Sequence, residues 1–125
     1  MPTEVVLTIT GVRKPGLDES SLHEYLSTYH APLALPFLLK YGIKEYTLID
    51  QFSAFAPHAE QMQMTGKLAD CHYIVQFVMD DIGQFKKLWE DEEFNRTVKP
   101  DHVNFANENK SGSVLLSHIS KAKMC

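Results

Sequence analysis

The sequence predicts an α+β domain of the ferredoxin-like class, with the element order βαββαβ. Two observations support this prediction. Segments with alternating apolar residues flank segments whose apolar residues recur every three or four positions, and the chain has 125 residues, the size of one domain. No repeat or linker divides residues 1–125, so we expect a single domain. In this class both helices cover one face of a four-stranded antiparallel sheet.

The first half of the chain predicts a strand followed by a bent helix. Residues 4–12 are rich in β-branched types and alternate between apolar and small polar side chains, as in a strand. Asp18 is a good N-cap for the helix that follows. Pro32 and Pro36 lack an amide hydrogen, so we expect them to break or bend that helix. A second helical piece is predicted over residues 33–41.

The second half of the chain predicts three strands and one further helix. Residues 43–55 indicate the second strand, and residues 56–68 lack a clear period and predict a long loop. Residues 70–80 form the clearest strand pattern, after which two consecutive aspartates cap a helix that runs through Glu92. An irregular or short-helical segment leads to the last strand, over residues 111–120.

The third strand carries two different rows of side chains. The apolar row is expected to face the helices, and the mixed row is expected to lie on the open face of the sheet. The apolar row is Cys71, Tyr73, Val75, Phe77 and Met79, and the mixed row is His72, Ile74, Gln76 and Val78. A second copy laid over the open face would bury the apolar part and enclose the polar part. We therefore predict a homodimer with a pocket on the open face.

Composition excludes several classes of partner. Lys and Arg total 12 against 16 Asp and Glu, a formal net charge of −4, and no basic run stands out, so nucleic-acid binding is not expected. No run of about 18 apolar residues predicts a membrane span. The first residues lack the basic region of a signal peptide, and two cysteines are too few for a disulfide framework. We expect a cytoplasmic protein.

Histidines are the main candidates for chemistry, and there are six of them. Their spacing matches no metal-binding motif, and no cofactor motif is present, so neither a metal nor a cofactor is expected. His30 lies at the predicted helix break, where it either hydrogen-bonds the last free carbonyls or serves as a pocket acid or base. His72, on the mixed row, and His102, near a turn, are the other catalytic candidates. His23 and His118 are not expected to act.

The candidate substrate-binding residues come from several elements. Asp50 is an acidic residue in an apolar strand and is either a pocket carboxylate or an edge charge. Gln76 shares the open face with His72, and Tyr46 is expected mainly to pack. The full set of substrate-binding candidates is Asp50, Gln76, Tyr46, Tyr29, Phe105 and Asp101.

Five segments together resemble the EthD family of the dimeric α/β-barrel superfamily. The segments are residues 13–17 (RKPGL), 22–25 (LHEY), 30–33 (HAPL), 82–94 (IGQFKKLWEDEEF) and 100–105 (PDHVNF). The resemblance covers nearly the whole chain except residues 54–68. It implies a ferredoxin-like dimeric α/β barrel, and it carries family positions onto His30, Asp101 and Phe105.

Residues 39–47 (LKYGIKEYT) look most like the small fungal EthD enzymes of aromatic polyketide pathways. This likeness implies a lyase that needs no cofactor and decarboxylates an aromatic polyketide acid through an enolate. His30 would then be the proton donor or acceptor, with His102 or His72 as the oxyanion partner. A cyclase, isomerase or dehydratase, a cofactor-free anthrone monooxygenase and a non-catalytic ligand-binding dimer are the alternatives.

Overall fold

The four strands of the computed structural model form one antiparallel sheet. The model describes residues 4–63, 66, 68–110 and 112–121. The sheet order is β2-β3-β1-β4, which is the ferredoxin-like order predicted from the sequence. The strands are β1 (Val5–Gly11), β2 (Glu45–Asp50), β3 (Tyr73–Met79) and β4 (Val114–His118).

Five α-helices, one π-helical turn and two 3₁₀ turns complete the described structure. The helices are α1 (Glu19–Tyr25), α2 (Ala31–Lys40), α3 (Ala56–Gln61), α4 (Ile82–Glu90) and α5 (Glu92–Thr97). A π-helical turn (Leu26–His30) joins α1 to α2, and two 3₁₀ turns cover Ser53–Phe55 and Lys99–Asn104. No helix in the described part of the chain combines the length and apolar composition that a membrane crossing requires.

Local signals correctly placed the starts of the two main helical segments. The Asp18 carboxylate accepts a hydrogen bond from the backbone of Ser21 at 2.7 Å, and Asp81 caps α4 together with Gln84 in a capping box. The expected loop over residues 56–68 was wrong in part, because α3 occupies its first half. A six-residue helix with proline in its first turn is too short to give a periodic pattern.

Of the two outcomes expected at Pro32, a break or a bend, the helix does not break, because it continues through the π-helical turn. Pro32 has no amide hydrogen, and in a regular α-helix its ring would crowd the carbonyl of Thr28. The turn widens, and the amide of Ala31 bonds the carbonyl of Leu26, five residues earlier. His30 is the last residue of this turn, so the wider turn sets the direction of its side chain.

The two faces of the sheet have the alternation that was predicted. In the register of β1 and β3, Tyr73 pairs with Gly11, Val75 with Ile9 and Phe77 with Leu7. The side chains of these positions other than Gly11 pack toward the helices, and we call this the covered face. We call the opposite face, which carries Thr8, Ile74, Gln76 and Val78, the open face. The core between the covered face and the helices contains the fully buried Leu22, Leu26, Met79 and Leu88.

Candidate active site

A cavity of about 470 Å³ lies between the covered face and the helices. Its walls come from all four strands, from the π-helical turn and α2, from α4 and α5, and from the segment that follows α5. The pocket expected on the open face would require a second copy of the chain, whereas the cavity of the single chain lies on the covered face. The apolar row of β3 does face the helices, but the helices do not close fully over it, so the space forms within one chain.

The cavity is apolar inside, and its exposed lining residues include the polar His102 and Glu108. Leu26, Leu38 and Leu88 line its interior and are buried. Trp89 and Val114 line it too but are exposed by 49% and 69%, so they mark the mouth. A cavity of this size and character suits a drug-sized aromatic ligand.

His30 brings an ionisable side chain into this apolar wall. Its Nδ1 lies 2.8 Å from Oδ2 of Asp101, and its ring packs against Phe105 with the ring centres 4.6 Å apart. Only 17% of the His30 side chain is exposed. Of its two expected roles, the structure supports the pocket position, because its partner is a carboxylate and not a helix carbonyl.

The Asp101 carboxylate is held by three donors. Oδ1 accepts a hydrogen bond from the Tyr25 hydroxyl at 2.5 Å and from the Asn104 amide at 2.9 Å, while Oδ2 faces His30. Burial acts to raise the pKa of Asp101, but these hydrogen bonds outweigh burial and leave the pKa below its ordinary value. Asp101 is therefore ionised at neutral pH.

His30 is neutral at pH 7. Burial lowers the pKa of His30 below the ordinary 6.5, and the attraction of Asp101 only partly offsets that effect. An ionised Asp101 can only accept, so Nδ1 of His30 donates the hydrogen bond. The lone pair of the neutral ring is then on Nε2, which is the arrangement of a general base.

Two tyrosines contribute to the cavity from neighbouring strands. Burial raises the pKa of Tyr46 and of Tyr73 to about 12, so both stay protonated. The Tyr73 ring lies across Gly11, where an added Cβ would be 2.1 Å from the ring. The Tyr46 hydroxyl is enclosed and has no hydrogen-bond partner among the described residues. Tyr46 was expected mainly to pack. Its ring forms part of the cavity wall and contacts the Phe77 ring edge-on.

Two of the predicted site residues lie away from the cavity. His72 precedes β3, and its Nδ1 accepts a hydrogen bond from the backbone of Arg13 at 2.9 Å. Gln76 is on the open face, where its amide is 3.4 Å from the Thr8 hydroxyl. Neither lines the cavity, because the alternation of β3 puts them behind the sheet.

Asp50 and Tyr29 do not line the cavity either. Asp50 lies on β2 and binds Nδ1 of His23 at 2.8 Å, with its own side chain only 7% exposed. It is thus one half of a second histidine–aspartate pair, whose histidine was not expected to act. Tyr29 is 62% exposed and stacks on Tyr25, with ring centres 5.4 Å apart.

His102 and Phe105 do reach the cavity. Phe105 is buried and packs against both His30 and His102. His102 lines the mouth, is half exposed, and lies 3.4 Å from the Glu108 carboxylate. The cavity therefore brings together His30, His102, Phe105 and Tyr46 of the predicted set, with Asp101 directly behind His30.

The roles of Tyr25 and Asn104 were missed from the sequence. Tyr25 matched the apolar stripe of α1, and its contact with Asp101 spans 76 residues of chain. Asn104 is three residues after Asp101, a spacing within one turn that offers a local signal for a hydrogen bond. Within the described ranges, no group of three or more His, Cys, Asp or Glu side chains is arranged to hold a metal ion.

The EthD domain model matches residues 14–109, and the chain belongs to the EthD family. It is 36% identical over 111 residues to the dehydratase aurZ of Gibberella zeae, which covers 87% of this chain and 73% of that protein. It is 37% identical over 107 residues to a conidial pigment biosynthesis dehydratase, EthD, of Metarhizium robertsii, covering 84% and 75%. It is 33% identical over 108 residues to the decarboxylase claH of Passalora fulva, covering 84% and 70%.

Solved structures show the same fold at low sequence identity. An EthD-like protein from Ralstonia eutropha has a TM-score of 0.64 at 12% identity and covers 98% of this chain and 97% of that one. An EthD family protein from Bacillus halodurans has a TM-score of 0.61 at 14% identity, covering 94% and 99%.

Proposed function

We propose that this chain is a lyase of fungal polyketide metabolism that removes water from a β-hydroxy ketone in a ring that becomes aromatic. The observation that carries the proposal is the position of His30, whose Nδ1 lies 2.8 Å from Asp101 in the wall of an apolar cavity. Relatives with the names dehydratase and decarboxylase, and the resemblance to fungal polyketide enzymes, support the class of reaction.

The reaction needs one base that returns its proton. Nε2 of His30 takes the proton from the carbon between the carbonyl and the carbinol, and the electron pair moves to the carbonyl oxygen as an enolate. The enolate then expels the hydroxyl group from the β-carbon, while His30 gives its proton to the departing oxygen. One water leaves, one C=C bond forms, and His30 is neutral again.

The enolate oxygen requires a hydrogen-bond donor. Of the two histidines first considered for this task, only His102 lines the cavity, so we assign it as the oxyanion partner. One well-placed donor to an oxyanion contributes about 2.7–4 kcal/mol. Tyr46, Phe105 and the aliphatic walls would enclose the rings of the substrate.

The protonation state of His30 favours dehydration over decarboxylation as the main activity. Dehydration begins with removal of a proton, for which a neutral histidine is ready at pH 7. Decarboxylation begins with loss of CO₂ and requires a proton afterwards, which a histidine with a lowered pKa carries less often. We therefore place dehydration ahead of the decarboxylation expected from the sequence.

Decarboxylation remains the second candidate because relatives such as claH carry that name. An apolar cavity destabilises a substrate carboxylate relative to a transition state with dispersed charge, an effect whose size is debated. The same enolate would form, and His30 would then act as the acid.

The test is a comparison of two bicyclic probes. One is a β-hydroxytetralone, whose dehydration gives naphthol, and the other is the β-keto acid of tetralone, whose decarboxylation gives tetralone. We expect naphthol from the first probe, measured by fluorescence and mass, and in deuterium oxide we expect exchange of the α-hydrogen. Faster release of CO₂ from the second probe would reverse the order of the two candidates.

A non-catalytic outcome is also measurable. Binding of both probes without turnover or deuterium exchange would refute the lyase proposal and favour a ligand-binding module.

We also propose a homodimer through the open face, which carries the half-buried Ile74 and the exposed Leu115. Because the residues that line the cavity all belong to one chain, the chemistry above does not depend on this dimer. Sedimentation at micromolar concentration tests it, and a monomer would refute it.

A further inference from the structure

Asp101 presents its two oxygens to different partners. Oδ2 faces Nδ1 of His30 at 2.8 Å, whereas Oδ1 accepts from both Tyr25 and Asn104, at 2.5 Å and 2.9 Å. The Asp101 side chain is only 11% exposed, so little water competes for these positions. The carboxylate therefore cannot rotate about its last bond without losing two hydrogen bonds.

This arrangement has an electrostatic consequence as well as a geometric one. A carboxylate beside a histidine ordinarily stabilises the protonated ring and raises its pKa. Donors on the other oxygen draw charge away from the carboxylate and weaken that effect. Among the described residues, Asp101 acts to raise the pKa of His30 and His102 acts to lower it, while Tyr25 contacts the other oxygen of the Asp101 carboxylate.

We propose that Tyr25 and Asn104 are positioning residues that hold Oδ1 of Asp101, so that only Oδ2 meets His30 and the Nδ1–H tautomer is fixed. Neither residue lines the cavity. They act on the substrate only through Asp101 and His30, so the inference deepens the proposed function and rests on it for the catalytic meaning of the neutral ring.

The chain contains a matched control for the Tyr25 hydroxyl. The Tyr41 hydroxyl also donates to an aspartate, Asp91, at 2.5 Å, and that pair lies away from the cavity. Asp91 caps α5 and binds Lys40, so its role belongs to the fold. Tyr25→Phe and Tyr41→Phe therefore remove the same group from the same type of contact in two different places.

The experiment is an NMR titration of His30 in the ligand-free protein, with ¹⁵N chemical shifts to report the tautomer. We expect Tyr25→Phe to raise the His30 pKa by about 0.5 or more, because the Tyr25 hydroxyl no longer draws negative charge away from the Asp101 oxygen that faces His30. Asn104→Ala should move the pKa in the same direction, and the double variant should add signal from the Nε2–H tautomer. Tyr41→Phe should leave both readouts unchanged while lowering Tm.

Catalysis supplies a second, separate readout. On the productive probe, the acidic limb of kcat/KM should move to higher pH in Tyr25→Phe by the same amount as the NMR pKa. If no probe turns over, the proposed function fails, but the titration still decides the present inference. Unchanged pKa and tautomer in both Tyr25→Phe and Asn104→Ala would overturn it, and if Tyr25→Phe does not fold, the exposed Asn104→Ala decides alone.

Discussion

Two histidine–aspartate pairs with the same 2.8 Å contact occupy very different surroundings in this protein. His30 and Asp101 are both largely buried, and His30 forms part of the cavity wall. His23 is 41% exposed, and although its partner Asp50 is buried, neither residue lines the cavity. The comparison teaches that the pairing itself does not define a catalytic group. His30 is the candidate because a cavity lies in front of its imidazole and donors hold the carboxylate behind it.

The largest expected effect separates the two histidines. His30→Gln should lower kcat for the productive probe by about 10²–10⁴-fold, because it removes the group that carries the proton. His23→Gln makes the same change in the other pair and should leave kcat within about twofold, since surface substitutions rarely act at a distance. Steady-state assays on both variants measure this difference, and equal losses would mean that the cavity is not the active site.

The aspartates should differ by a smaller factor. Asp101→Asn keeps the imidazole but removes the charged acceptor that fixes its tautomer, so we expect kcat to fall on the order of 10²-fold. Asp50→Asn is the matched change and should leave kcat unchanged. An Asp101→Asn enzyme with full activity would remove the carboxylate from the mechanism.

The pH dependence of stability should depend on His30. Its pKa is below 6.5 in the folded protein, so between that lower pKa and 6.5 the unfolded chain binds more protons. The free energy of unfolding should therefore fall as pH drops below 6.5 and level off below the folded pKa, by about 1.4 kcal/mol for each pH unit that separates the folded and unfolded pKa values. Urea titrations from pH 7.5 to about pH 5 measure this. His30→Gln should lose that part of the slope, and an identical slope in wild type and variant would contradict the assignment.

The smallest effect is expected at the exposed pair. His23→Gln should change the free energy of unfolding by less than about 1 kcal/mol, because water competes for a partly exposed side-chain contact. Thermal unfolding at pH 6 gives the value. A loss well above that range would show that the His23–Asp50 contact is structural in its own right.

Local chemistry made much of the fold and part of the site predictable. The helix cap at Asp18 and the two-residue alternation of β3 depend only on residues a few positions apart in the sequence, and both agree with the structure. His30 was found because a proline two residues later marks an unusual helix. The π-helical turn was not predicted, because a chain can accommodate a proline that lacks an amide hydrogen either by widening the helical turn or by ending the helix.

The cavity within the chain lies on the face that the sequence reasoning did not select, and there is a physical reason for this. The mixed row of β3 is too apolar for water, but that fact does not say whether helices on the other face fill the space above the apolar row. How closely α2 and α4 approach the sheet depends on side chains from the helices and from the sheet. This packing leaves the cavity between the helices and the sheet.

The sequence alone determined the class of fold, the helix starts and the presence of a histidine at an irregular helical turn, because each depends on residues close together in the chain. Only the tertiary structure decided which histidine meets which aspartate. Tyr25 and His30 reach Asp101 across 76 and 71 residues, and His23 reaches Asp50 across 27. Contacts over such separations depend on how the helices pack against the sheet. This packing leaves the His23–Asp50 pair at the surface and places the candidate pair His30–Asp101 at the cavity.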